Sequence, residues 1–305
     1  MNSSPSIGSV GLTIDQTNGR IKILCDKVFC SAEQAKNYLA ASVSGDRSAQ
    51  GFLSSPKARL TARVIVKTSQ AIQPFAVVNG FEIREEARIQ TAFGLDIVYL
   101  GGNGKDRTSA DLMDMERSLC VNTTRLRLAP IVLNGHSHVT FDCLTAPVCK
   151  HDADQLVEMY QRCFRSYPVR LGEALVQSAA QNSIFVVARN SMGHIIASAI
   201  GESLQVGPLT LLEVSEEAAH PEKRIKGAAS NCARQVIEIA KDTLPSPVVA
   251  FWEARMWRNI LGISQMVGLT QFGGVLHQHC RISSTPQATT LPQTEYGSLG
   301  VFYAP

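Results

Sequence analysis

Three apolar runs crowd between residues 184 and 216: Ile184–Arg189 (IFVVAR), His194–Leu204 (HIIASAIGESL) and Leu209–Glu216. Each is rich in β-branched side chains, and only short turns separate them. Strands joined so tightly can pair only antiparallel, so the segment reads as a three-strand meander. Two helical stretches precede it, Asp152–Ser166 and Leu171–Ala180, after a strand at Val139–Leu144. Two βα units follow it. A helix over Ala228–Lys241 leads to a strand at Pro247–Glu253 (PVVAFWE). A helix over Arg258–Val267 leads to a strand at Leu269–Ile282, broken at Gly273-Gly274. Val301–Tyr303 closes the chain. A meander feeding βα units is incompatible with a doubly wound parallel sheet, so the predicted class is α+β with a mixed sheet.

The preceding residues read as a second α+β region. Strands are expected at Arg20–Cys25, Leu60–Lys67, Phe81–Thr91 and Leu95–Leu100. A helix is expected at Ser31–Ser42, with Ser31 as N-cap, and another at Ser69–Asn79. Ser44–Pro56 reads as a loop and Gly101–Arg107 as a turn. Residues 106–135 read as a connector, which places the domains at 1–135 and 136–305. The β-α-β-β string starting at Arg63–Lys67 parallels the one starting at Pro247–Glu253. The N-terminal region therefore reads as a degenerate relative of the C-terminal one.

Composition narrows the function classes. The 305 residues are 45% hydrophobic and 18% charged, enough apolar side chain for a core. The net charge of +3 is too small for a dedicated nucleic-acid binder. No apolar run approaches the ~20 residues of a membrane helix. The start, Met1–Pro5, lacks the basic-then-apolar layout of a signal peptide, so a soluble, cytoplasmic protein is expected. The eight cysteines form no paired C-x-x-C pattern and read as reduced, mostly buried residues. His136/His138 and His277/His279 could each face one side of a strand, but neither pair has further ligands nearby, so no metal is expected. Gly104-Lys105 fails as a phosphate loop, because Tyr99 stands where the pattern needs glycine and Asp106 where it needs Ser or Thr.

The chemistry concentrates in Glu213–Ala229, EVSEEAAHPEKRIKGAA. A strand ends, the chain passes Pro221, and a helix opens at Ala228. Arg224-Ile225-Lys226-Gly227-Ala228-Ala229 spells R-x-x-G-x-A across that opening. Free N–H groups and the helix dipole make such a turn an anion site, and Gly227 permits close backbone approach. Arg224 and Lys226 add positive charge. Glu213 and Glu216 precede it on the strand as candidate proton acceptors. Regular alternation would put them on opposite faces, and a bulge could change that.

This segment resembles the acyl-CoA loop of the GNAT acetyltransferase superfamily, [QR]-x-x-G-x-[GA], and the element order of residues 140–305 is similar too. The resemblance implies a GNAT fold with acetyl-CoA as co-substrate. It implies that Ile225, Lys226, Gly227, Ala228 and Ala229 hold the pyrophosphate with Arg224, that pantetheine runs past Ala219 and His220, and that Asn259 touches it. It places Tyr167 and Tyr303 near the acceptor, and Glu216 or Glu213 as the catalytic base. The helix where many GNAT enzymes carry a thiolate-protonating Tyr has only Ser264 as a hydroxyl.

A narrower resemblance is to beta-lysine N-acetyltransferases. It rests on Glu213, Ser215, Glu216, Ala218, Pro221, Arg224 and Gly227, on Gly274–Ile282, and on Ser298–Tyr303. Gly297 and Gly300 replace the usual Glu and Asn of the terminal motif. The implied reaction is acetyl transfer to the amine of a small, amino-acid-like acceptor. A non-catalytic binding protein, or an enzyme acting on a peptide or carrier-bound amine, are the alternatives, and a homodimer is left open.

Overall fold

The computed structural model describes residues 11–15, 20–56, 58–78, 80–91, 93–104, 138–163, 171–245, 247–255, 270–280 and 296–304, with backbone alone from 251 onward. The chain divides into two compact units, whose larger pieces are Met1–Arg125 and Leu126–Glu253.

In the first unit, β1 (Gly11–Asp15) and β2 (Arg20–Phe29) form a hairpin ladder. The chain then enters α1 (Ala32–Ser44). Ser31 caps it: its hydroxyl accepts the Gln34 N–H, and the Gln34 side chain accepts the Cys30 N–H. The first bond satisfies an amide that the helix start leaves open, and the second ties the residue before the cap to the first turn. α2 (Arg47–Leu53) follows, where a loop was expected. Asp46 nucleates it by accepting the Ser48 and Ala49 N–H groups at 2.8 and 3.0 Å. β3 (Arg59–Val66) returns parallel to β2 and is buried along its whole length.

The expected helix at Ser69–Asn79 is absent among the described residues, and β4 (Phe75–Val78) occupies its second half. Pro74 explains this, because it lacks an N–H and pushes the residue before it out of the helical region. β5 (Phe81–Gln90) and β6 (Asp96–Asn103) complete a sheet ordered β1-β2-β3-β6-β5-β4. The turn expected over Gly101–Arg107 is strand through Asn103, and Gly101 and Gly102 pair with Thr61 and Leu60 inside the sheet. A Cβ on Gly102 would sit 2.2 Å from the Glu82 carbonyl oxygen.

The second sheet is ordered β12-β13-β11-β10-β9-β8-β7. Its strands are β7 (Thr140–Leu144), β8 (Ile184–Arg189), β9 (Ile195–Val206), β10 (Leu209–Ala219), β11 (Val248–Arg255), β12 (Thr270–Cys280) and β13 (Tyr296–Ala304). β7 through β10 are antiparallel neighbours, and β10 pairs parallel with β11. This is the mixed α/β sheet expected from the meander. α3 (Lys150–Cys163) and α4 (Glu173–Asn182) cover one face through Leu156, Met159, Tyr160 and Val176, packed with Phe185, Ile200 and Ala218.

α5 (Ala228–Thr243) covers the other face. It buries Cys232, Ala233, Val236 and Ile237, and each larger aliphatic contributes roughly 1.5–3 kcal/mol. Gly201 makes this approach possible, since a Cβ there would lie 2.4 Å from Val236 Cγ1. The helix expected after Arg63–Lys67 is absent among the described residues: β3 is followed by β4 and β5, and the described helices of this unit lie in the crossover between the parallel strands β2 and β3.

Candidate functional site

The site is built where β10 ends and α5 begins. The β9–β10 register shifts between Ser215 and Ala218, leaving Glu216 and Glu217 opposite a single partner position. Glu216 takes φ +45°, a left-handed value costly for a non-glycine residue. Before the bulge, Ser215 pairs with Ile200, a member of the core under α3 and α4. Beyond it, Ala218 belongs to the same core. The two residues between are therefore split between the faces. The Glu216 carboxylate meets the Ser215 hydroxyl, on the α3 side. Glu217 turns the other way and meets Ser230 on α5. The bulge thus re-aims Glu216 toward the face of Glu213, the arrangement that a regular strand forbids. Glu213 is buried and stands opposite Glu202 of β9.

A buried hydroxyl chain supports the bulge. Tyr160 of α3 lies 3.1 Å from the Ser198 hydroxyl, and Ser198 donates to the Glu216 carbonyl at 3.3 Å. Burial pushes the Tyr160 phenol well above its ordinary range, so it stays protonated. On the same side, the Cys163 thiol donates to the Ala219 carbonyl at 3.2 Å, and burial raises its pKa.

The turn from His220 to Gly227 is held from within. The His220 backbone N–H extends the ladder to the Ile196 carbonyl at 2.8 Å. Its buried ring accepts the Glu222 and Lys223 N–H groups through Nδ1. Burial, then the nearby Lys223 and Arg162 charges, lower the His220 pKa below its ordinary value. Glu222 is anchored to Arg162 of α3 at 2.7 Å. Gly227 is the N-cap of α5 at φ +88°, with no side chain to cap the helix. Its carbonyl accepts both the Asn231 backbone N–H and the Asn231 side chain.

The Ala228 N–H is engaged by the Ile225 carbonyl at 3.1 Å. The amides of Lys226, Gly227 and Ala229 carry no intrachain acceptor among the described residues. Arg224 and Lys226 are exposed beside them. An oriented set of open amides at a helix N-terminus with two cations alongside suits a diphosphate. At α1, by contrast, the N-cap side chain of Ser31 takes up the Gln34 N–H.

Asn259, Ser264 and Tyr167 lie outside the described residues, and the Tyr303 side chain is not among those described. Tyr160, Ser198, Glu217 and Ser230 are site residues that reading the sequence did not bring forward. Among the described residues no group of three or more His, Cys, Asp or Glu converges as for a metal ion. No helix among them is long and apolar enough to cross a membrane.

No protein-family model matches this sequence, and no curated protein sequence matches it. Solved structures do show likeness. One is the ribosomal-protein-S18-alanine N-acetyltransferase from Escherichia coli, at 11% identity and TM-score 0.38, over 55% of this chain and 93% of that one. A GNAT superfamily phosphinothricin acetyltransferase from Sinorhizobium meliloti, in complex with AcCoA, is similar at 15% identity and TM-score 0.40, over 55% and 88%. The acetyltransferase yncA from Salmonella typhimurium, with its cofactor acetyl-CoA, gives 13% and 0.40, over 55% and 93%.

Proposed function

We propose that this chain is an acyl-CoA-dependent N-acetyltransferase whose acceptor is a small, amino-acid-like amine, beta-lysine-like in character. The carrying observation is the bulged end of β10 leading into an N-cap glycine at φ +88° with open amides beside it. Those amides, with Arg224 and Lys226, fit the diphosphate of acetyl-CoA. Ala219 and His220 line the path from the turn back to the bulge. Acetyl-CoA, when bound, supplies the activated acetyl group.

The chain's own residues do the rest. Substrate amines are mostly ammonium at neutral pH, so a base must take a proton before the nitrogen can attack. Glu216 is that base in this reading, with Glu213 on the same face as the second carboxylate. In this reading the carboxylates of Glu213 and Glu202, opposite one another on β10 and β9, offer negative charge to the acceptor's ammonium. Backbone N–H groups at the bulge are the donors for the acetyl carbonyl. In this reading residues 136–305 form the catalytic domain and residues 1–135 an accessory one.

Calorimetry with acetyl-CoA tests the reading, using the wild type and Gly227→Trp. Binding by the wild type and its loss in the variant are expected, and no wild-type binding overturns the enzyme. Release of free CoA with lysine and beta-lysine then tests the acceptor class. Release only with a peptide would shift the acceptor to a larger amine.

A further inference from the structure

One buried group beside the open turn has no place in that mechanism. The Glu217 carboxyl sits under the first turn of α5, where Oε1 accepts the Ser230 hydroxyl at 3.1 Å. Ser230 is itself buried and is the third residue of the helix. The other oxygen, Oε2, is buried and receives no hydrogen bond among the described residues. A carboxylate left this way lacks the donors that would stabilise its charge. Burial raises its pKa to about 7, and the Ser230 bond only partly opposes the rise.

The groups facing it do not compensate. Cys232 on α5 is a buried thiol whose own pKa is pushed up, by burial first and then by Glu217. Glu216, next on the strand, lies toward α3 with Tyr160 and Ser198 of β9. His220 ends the strand with a lowered pKa, and the turn's cations, Lys223, Arg224 and Lys226, are exposed.

We propose that Glu217 is the positioning residue of this turn, and that it takes up a proton from solvent when the turn receives a diphosphate. This deepens the acetyl-CoA reading and rests on it. The physical cause is like-charge repulsion. An ionised Glu217 and a diphosphate would compete for the same helix N-terminus in a poorly solvated place. Binding therefore favours the neutral acid, which carries no charge to repel the diphosphate. The neutral acid also keeps the Ser230 bond, which seats the first turn of α5.

The test is calorimetry of the full chain with dephospho-CoA, which keeps the diphosphate but lacks the titrating 3′-phosphate. Titrations in buffers of different ionisation enthalpy give the protons taken up. At pH 7 the wild type is expected to take up about half a proton, and Glu217→Gln none. Between pH 6.5 and 8, above the His220 range, wild-type affinity is expected to fall about five- to ten-fold, while Glu217→Gln stays flat. Ser230→Ala keeps the carboxyl but removes its one donor, so proton uptake at pH 7 should shrink and the affinity drop should move to higher pH. Binding without uptake in the wild type, or equal uptake in Glu217→Gln, overturns the proposal and leaves the acetyl-CoA reading standing. No binding by the wild type overturns both.

Discussion

Nδ1 of His220 accepts the backbone N–H of Lys223 at 3.2 Å, inside the turn that opens α5. With the Glu222 N–H as a second donor, this ring is the internal brace of the loop. Losing two such bonds costs about 1–3 kcal/mol, so His220→Ala should weaken acetyl-CoA binding by about ten-fold or more. Asn places an amide oxygen near the Nδ1 position, so His220→Asn should stay within about three-fold. The pH sign follows from the lowered pKa: the folded state holds the ring proton less tightly than the unfolded chain. Stability and affinity should therefore decline as the pH falls below the ordinary histidine value. Equal binding by the Ala and Asn variants would remove the bracing role.

Gly227 and Gly193 both adopt positive φ, +88° and +78°. Alanine at either position meets a strain of about 1–2 kcal/mol. Gly193 lies in the β8–β9 turn with open space around its Cα, so Gly193→Ala should lower the melting temperature by a few degrees and leave acetyl-CoA affinity unchanged. Gly227→Ala should lower affinity about ten-fold, since the strain falls on the amides proposed to hold the diphosphate. Thermal melts and calorimetry on both variants separate a general cost from a local one.

The sequence shows the second sheet more fully than the first, and the reasons are physical. Ile184–Arg189 was readable to the residue, because apolar β-branched side chains are bounded by Ser183 and Asn190. Gly227 marked the start of α5 correctly, since a left-handed N-cap favours glycine. In the first unit, Asp46 as a cap and Pro74 as a breaker were present but outweighed by composition. The bulge stayed one of two open arrangements, because a register shift depends on the partner strand and not on local periodicity. For that reason the sequence does not place Glu216 on either face, and it gives no sign of the Glu217 carboxyl meeting Ser230.

Glu216 sits in the bulge, and Ser198 donates to its carbonyl at 3.3 Å. If Glu216 is the base proposed above, Glu216→Gln should lower kcat by more than about ten-fold while leaving acetyl-CoA affinity near wild type. Ser198→Ala removes the donor to the Glu216 carbonyl and one partner of the buried Tyr160 hydroxyl. It should lower kcat about three- to ten-fold and also lower the melting temperature. Unchanged turnover in Glu216→Gln would move the base to Glu213 or to water, which Glu213→Gln then tests.

Arg189 ties three elements together beside this core. Its fork donates to both oxygens of Asp152 at 2.8 and 2.7 Å, and its Nε donates to Asp142 at 2.7 Å. The Arg189 hydrogen bond, ahead of all other causes, holds the Asp152 pKa below its ordinary value. A depressed carboxylate contributes stability above its unfolded pKa and loses it as the pH falls through the folded one. Wild-type stability should therefore drop below about pH 4 by an amount that Asp152→Asn has already lost at neutral pH. Arg189→Lys keeps the charge but not the fork, and should cost about 1–3 kcal/mol at pH 7. Denaturant melts across pH 3–7 read both effects. A variant Asp152→Asn whose acid sensitivity equals that of the wild type would show that other carboxylates govern acid unfolding.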